Sequence, residues 1–364
     1  MRVISVANQK GGCGKTITSV NVAGALAAMG KNVLFVDIDP QAHATSSLGI
    51  EIKDSRKSSY RIFDAFLKNE QADVSGLIHK RYETLYVIGS HISLSTMEQK
   101  LYSAKNATMI LHNFLKAKEI SDFDYVIIDT PPNLGFLTFN ALHASSRVIV
   151  PLDTSFFSLK GVGYISDILD LSKNMGFEKP AVNFLINMYD GRSNFAKNFL
   201  QQSREMLGKG LFNTVVRANV KIKEAAQAGK AIFEHDPSSN GARDYTALVN
   251  EMVPGTGAER LTLKSVETPR ADTEADKAQK IMFKLTAPEA GAVYLAGSFN
   301  DWLISKETAM KKLDNGTWVK ILSLAEGAYR YKFVVDDKWI EDPSNENTKT
   351  NEFGGRDSMV MVKF

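Results

Sequence analysis

The residues of this chain best suited to chemistry lie in "NQKGGCGKT", residues 8–16, and at the ends of two apolar runs further on. Gly14, Lys15 and Thr16 match the end of the phosphate-loop pattern G-x-x-x-x-G-K-[ST], but Gln9 stands where its first glycine belongs. Backbone N–H groups of Gly11, Gly12, Cys13, Gly14, Lys15 and Thr16, at the amino end of a following helix, suit phosphate oxygens. Lys15 adds a point charge for the β- and γ-phosphates, and the Thr16 hydroxyl suits Mg²⁺. Asp37 and Asp39 end the run "NVLFVDID", and Asp129 ends "YVIIDTPP". Ligands of parallel sheets bind outside the carboxyl ends of the strands, so three acids at such ends point to one site. Asp129 fits the role of holding the metal through water. A second lysine, Lys10, has no task in a simple phosphate cradle.

These residues need a parallel sheet behind them, and the first 250 residues read that way. Apolar runs "RVISVA", "NVLFVDID", "YVIIDTPP", "RVIVPL" and "NFLINMYD" alternate with helical patterns such as "TSVNVAGALAAMG", where Gly30 is a stop signal. From 253 to 280 the chain is polar and of mixed charge, which reads as a linker. From 281 to 364 short strand-like runs separated by turns, among them "AVYLAGSF" and "YRYKFVVDD", predict a small all-β sandwich. The expected class is thus an α/β P-loop fold over 1–252 followed by an immunoglobulin-like sandwich.

The chain has 364 residues, a formal net charge of +3 and one cysteine. That charge is too small to define a partner, and a single cysteine excludes an intrachain disulfide framework. The opening "MRVISVANQK" lacks the apolar core of a signal peptide, and no stretch has the apolar length of a membrane span. A soluble cytoplasmic protein is expected.

The run "KGGCGKT" resembles the deviant Walker A motif of the ParA/MinD family of partitioning ATPases. "VLFVDIDPQAHATSSLGI", "DYVIIDTPPNLGFLTFNAL", "INMYDGRSN" and "GKAIFEHDPSSNGARDY" resemble further segments of its Soj-like branch. The resemblance covers about residues 1–250. It implies slow, Mg²⁺-dependent ATP hydrolysis activated by a homodimer, with Lys10 reaching across to the partner's phosphates. Asp39 then orients the attacking water, Asp37 supports the metal shell, and Asn187 stands near the adenine edge or serves as a turn residue. Ile17 replaces a hydroxyl residue of the family pattern, leaving its backbone N–H for the nucleotide. Cys13 occupies a variable position and reads as filler, although a helix amino end can lower a thiol pKa.

The same resemblance implies sequence-independent DNA binding and nucleoid association. Residues 192–230 hold eight Lys/Arg (Arg192, Lys197, Arg204, Lys209, Arg217, Lys221, Lys223, Lys230) and two acids (Glu205, Glu224), so eight minus two gives +6. Arg192, Arg217, Lys221, Lys223 and Lys230 are therefore expected to meet phosphates, Arg192 and Lys221 at positions matching the family's DNA contacts. MinD-like membrane binding needs a terminal amphipathic helix. Here the ATPase runs into a linker and a β region, so no membrane is expected.

Residues 281–364, with "AVYLAGSFNDW" and "YRYKFVVDDKWIEDP", resemble the glycogen-binding modules of AMP-activated kinase β subunits and branching enzymes. Sugar binding needs flat aromatic faces with a few polar groups at the rim. Trp302, Lys332 and Trp339 fall on the sugar-contacting positions of such modules. Phe353 stands in for an apolar residue of their late loop, and Asp357 replaces an asparagine. Trp318 belongs to the core. No pair of carboxylates stands in a glycosidase setting.

The readings that follow are an ATP-switched, DNA-bound positioner of an α-glucan or glycogen particle, and two alternatives. One is a partition ATPase with a ParB-like stimulating partner and a protein-binding β domain. The other is a glucan-bound regulatory ATPase with no DNA role.

Overall fold

The computed structural model of the protein describes residues 1–102, 104–133, 135–155, 179–253, 261, 263, 279–300, 302–304, 308–313, 316–324, 326–351 and 354–362. The chain divides into two compact units, Met1–Val266 and Glu267–Phe364.

The first unit is built on an eight-stranded sheet: β1 (Arg2–Val6), β2 (Val33–Asp37), β3 (His79–Lys80), β4 (Leu85–Ile88), β5 (Tyr125–Asp129), β6 (Arg147–Leu152), β7 (Ala181–Tyr189) and β8 (Leu211–Arg217). Their spatial order is β3-β4-β2-β5-β1-β6-β7-β8, and every pairing is parallel except that of β3 with β4. Strand alternation sends Val33 and Phe35 into one core and Leu34 and Val36 into the other, so both faces of β2 are covered. The first core also takes Val20 and Leu26 of the helix Lys15–Ala28 and Tyr245 and Leu248 of the helix Asn240–Met252. The second takes Phe63 and Leu137. β3 has only two residues, β4 is an apolar run of just four (LYVI), and β8 (LFNTVVR) is interrupted by Asn213 and Thr214; none of the three is among the strands expected from the sequence.

Register decides where the chemistry sits. Val6 of β1 and Asp37 of β2 both lie level with Asp129 of β5. The glycine loop after β1 and both acids therefore reach the same sheet edge. The helix after the loop begins at Lys15, three residues before the apolar pattern suggests. Gly14 at φ 89° makes this start possible, because the left-handed conformation turns the chain straight from loop into helix. Gly30 at φ 77° ends it, as its position predicts.

The stretch 253–280, expected to be a linker, contains the division between the units. Leu261 and Leu263 are nevertheless buried in the first core, and the Leu263 N–H donates to the Phe233 carbonyl at 3.3 Å.

The second unit has two antiparallel sheets. One is β11-β12-β9, from β9 (Gln279–Thr286), β11 (Lys311–Lys312) and β12 (Thr317–Leu324). The other is β10-β13-β16-β15, from β10 (Val293–Gly297), β13 (Gly327–Val335), β15 (Thr348–Thr350) and β16 (Arg356–Val362), with β14 (Lys338–Ile340) also paired to β13. Phe283, Leu285, Tyr331 and Phe333 form the core. Trp318 joins them, its indole N–H donating to the Ala287 carbonyl at 2.9 Å. No helix among the described residues is long and apolar enough to cross a membrane.

Candidate functional site

The loop 8–14 leaves the end of β1 and turns at two left-handed glycines, Gly12 (φ 77°) and Gly14 (φ 89°). A Cβ at Gly11 or Gly12 would meet nothing within 4 Å, so the outer side of the loop is open to a ligand. Thr16 Oγ1 donates to Asp129 Oδ2 at 3.0 Å, and Ser19 Oγ donates to Asp129 Oδ1 at 2.9 Å. Asp37, on the adjacent strand, accepts from the Asp39 N–H (3.0 Å), the Thr45 N–H (2.9 Å) and the Thr45 hydroxyl (2.6 Å). Asp39 accepts from the Gln41 N–H at 3.0 Å. Asp37, Asp39 and Asp129 are thus gathered at one edge, as their positions at the ends of apolar runs predict, and Thr16 of the helix Lys15–Ala28 joins them. Ser19 and Thr45 were missed. A hydroxyl one helical turn beyond Thr16, on the same face, was the signal that could have found Ser19.

Burial, with no ion pair to Asp37 or Asp129 among the described residues, governs the charges. Asp37 and Asp129 are both fully buried. Burial pushes the Asp37 carboxyl up to about 7, against the hydrogen bonds from Thr45 that favour its charged form. Burial, then the neighbouring Asp37 charge, raises Asp129 well above the carboxylate range. Such a pair suits a cation. Among the described residues no cluster of three or more His, Cys, Asp or Glu side chains could hold a metal alone. Mg²⁺ keeps waters and shares its shell between one or two protein oxygens and the nucleotide's phosphates, so Thr16, Asp129 and Asp37 fit that smaller share.

A pH dependence follows. For an acid whose folded pKa is raised, the native state holds the extra proton between the two pKa values. Metal-free stability from Asp37 is therefore present below about 4 and lost as pH rises toward about 7. Mg²⁺ favours the deprotonated acids and reverses that slope. In thermal melts the upward Tm shift caused by Mg²⁺ and ATP is expected to grow by several degrees between pH 5.5 and 7.5. A shift independent of pH would remove the acids from the metal site.

The two lysines are held differently. Lys15 is buried and donates from Nζ to the Lys10 carbonyl at 3.0 Å. Lys10 is partly exposed, and its ammonium contacts Asp153 Oδ1 at 2.6 Å, with Ser155 alongside. Asp153, just after β6, was missed: nothing in the sequence ties it to residue 10. Ile17 packs on the first core.

One expectation changes. Asn187 does not face outward toward a base. It is buried, its Nδ2 donating to the Cys13 carbonyl (3.1 Å) and Thr18 Oγ1 (3.3 Å), and a Cβ on Gly14 would lie 2.1 Å from that nitrogen. It braces the loop from behind. Full burial agrees with Cys13 as filler, and its thiol, at the helix amino end, is pushed up rather than down because burial outweighs the nearby Lys15 charge.

Four of the eight basic residues of 192–230 are engaged in ion pairs among the described residues. Arg192 pairs with Asp190 at 2.7 Å and Lys221 with Glu224 at 2.8 Å, both at exposed positions. Lys230 pairs with Glu234 at 3.3 Å. Arg217 makes a forked contact with buried Asp244, 2.6 Å from Nη2 and 3.1 Å from Nε to the same oxygen, which raises its pKa further. That guanidinium supports the fold and is removed from the expected DNA set. Lys223 is exposed with no ion pair among the described residues.

In the second unit Trp302 and Trp339 lie with ring centroids 6.2 Å apart and line a cavity of about 510 Å³ with Arg330, Lys332, Asn351 and Asp357. Trp302 holds φ 60° in the turn after β10, and Trp339 on β14 is 46% exposed. Four of the five expected carbohydrate residues therefore meet. Phe353 lies outside the described residues. Arg330 was missed, although its i, i+2 spacing from Lys332 on a strand marks the same face.

Comparison with known proteins agrees with this geometry. A family model described as an AAA domain matches residues 1–179, and one described as the glycogen recognition site of AMP-activated protein kinase matches 280–363. The sporulation initiation inhibitor protein Soj of Bacillus subtilis is 37% identical over 253 residues, covering 69% of this chain and 98% of that protein. The chromosome partitioning protein ParA of Myxococcus xanthus is 34% identical over 256 residues, covering 69% and 88%. A cobyrinic acid a,c-diamide synthase from Mycobacterium smegmatis, solved with an ATP analogue and magnesium, superposes with a TM-score of 0.58 at 28% identity, covering 72% and 100%. With buried acids beside an open glycine loop, these likenesses make the first unit an ATP- and Mg²⁺-dependent P-loop ATPase, and the chain belongs to the Soj/ParA family of partitioning ATPases.

Proposed function

We propose that ATP joins two copies of this chain, that the dimer binds DNA without sequence preference, and that the β unit tethers an α-glucan particle as cargo. Lys15 and the loop N–H groups hold the phosphates, and Asp39 orients the attacking water. Thr16, Asp129 and Asp37 would hold Mg²⁺, which when bound would supply positive charge to the phosphate oxygens. Lys10 exchanges Asp153 for the partner's phosphates, the same logic as an arginine finger. Slow hydrolysis then releases the dimer.

The observation that carries the cargo reading is the pair of indoles, Trp302 and Trp339, over one cavity with Lys332 and Asp357 at its rim. In co-sedimentation with glycogen the protein is expected to pellet. The Trp302→Ala/Trp339→Ala double variant should bind ~10-fold or more weakly, as loss of two anchors implies. Equal pelleting of both forms would sink the hook and leave the β unit as a protein-binding surface.

The DNA reading rests on Arg192, Lys221 and Lys223, whose ion pairs are absent or exposed and so easily exchanged for phosphate. In gel shifts with ATP, Lys221→Glu and Arg192→Glu are each expected to weaken binding and to lower the salt slope by about 1. Intact binding in both would discard this surface. Engagement of Arg217 and Lys230 by acids favours the second reading, a glucan-bound regulatory ATPase; no ATP-dependent DNA retention at all would select it.

A further inference from the structure

We propose that the cavity of the β unit selects α-glucans bearing a phosphate monoester, with Arg330 as the residue that reads the phosphate. The inference rests on the glucan reading of that cavity given above. A neutral glucan needs aromatic faces and a few hydrogen-bonding groups. Trp302 and Trp339 supply the faces, and Asn351, Lys332 and Asp357 supply the groups.

Arg330 is one cation more than that task requires. Strand β13 alternates, so Tyr331 and Phe333 enter the core while Arg330 and Lys332 both point to the cavity. Between them stands one carboxylate, Asp357, whose side chain is 5% exposed. It accepts from Asn351 Nδ2 at 2.8 Å, while Arg330 Nη1 and Lys332 Nζ each stay 3.7 Å away. Those distances exceed a hydrogen bond. Among the described residues neither cationic side chain donates a hydrogen bond, although Lys332 is largely buried. Among the described lining residues two cations face one carboxylate, a net charge of +1 that an uncharged ligand cannot use.

A phosphate monoester carries close to two negative charges and three acceptor oxygens. The guanidinium of Arg330 offers the forked donors that match it, and Lys332 offers a point charge beside it. Asp357, already bonded to Asn351, sets the position of both cations and remains an acceptor for sugar hydroxyls. A glucan whose phosphorylated unit lies at the rim would satisfy the donors that the protein leaves open.

The test is calorimetric titration of the full chain with maltohexaose, with maltohexaose carrying one 6-phosphate, and with inorganic phosphate. Charge-assisted hydrogen bonds predict about ten-fold tighter binding of the phosphorylated sugar at low salt. Added salt should shrink that preference. In Arg330→Gln the ratio of the two affinities should fall close to one; Arg330 is 41% exposed on its side chain, and a thermal melt checks that the fold is kept. Equal affinities in the unaltered protein, or a preference that survives in Arg330→Gln, would overturn the proposal and leave neutral glucan binding standing. Inorganic phosphate binding as tightly as the phosphorylated sugar would reduce the cavity to an anion site and overturn it as well. Binding of neither sugar would overturn the glucan reading itself and this proposal with it.

Discussion

Lys10→Ala is expected to bind ATP as a single chain yet lose ATP-dependent dimerisation, with turnover falling about 10³-fold, the lower range for a charge supplied in trans. The argument starts from position. Lys15 already occupies the in-cis place, buried and bonded to the Lys10 carbonyl at 3.0 Å. The Lys10 side chain is partly exposed and contacts Asp153 and Ser155. Removing its charge therefore leaves the cradle of N–H groups in place and takes away the group proposed to meet the partner's phosphates. Asp153→Asn gives the contrast, because a weaker hold on Lys10 should favour the dimer. Sedimentation with ATP and single-turnover hydrolysis measure both. A Lys10→Ala protein that dimerises and hydrolyses normally would end the in-trans assignment, and matching losses in both variants would mean that the pair serves the fold.

Lys15→Ala should have the other large effect, abolishing productive nucleotide binding and lowering turnover by about 10³-fold or more. Charge stabilisation of phosphoryl transfer is electrostatic, and a preorganised donor in a buried site contributes far more than one in water. Lys15 enters at the first residue of its helix, directly after left-handed Gly14, so its ammonium is fixed beside the loop N–H groups. The loop itself is braced by Asn187. Its shape should survive the substitution, and the melting temperature without nucleotide should barely move. Fluorescent-nucleotide titration reads the loss. Ordinary ATP affinity in Lys15→Ala would show that the loop N–H groups alone hold the nucleotide.

The amino-acid sequence by itself determined the parallel sheet, the site at its carboxyl edge, the family and the β sandwich. Those follow from local signals: apolar runs of strand length, glycines before a lysine and threonine, and acids at strand ends. The edge assignment of Asp37 and Asp129 was legible because a strand's last residue can only lie at its end. Tertiary structure decided the rest, because it brings together residues that no spacing connects. Asn187 and Cys13 are 174 positions apart, and only β7 beside β6 turns a weak base-reading residue into a brace for the loop. Lys10 and Asp153 meet across 143 positions. The +6 of 192–230 was correct as a count, but three of the acids that pair with it, Asp190, Glu234 and Asp244, lie outside that window. Charge in a fold is set by neighbours in space, so a window along the chain overstates the free cations. In the β unit the reverse holds: Arg330, unremarkable in the sequence, becomes the extra cation of a cavity because strand alternation sets it beside Lys332 and across from Asp357.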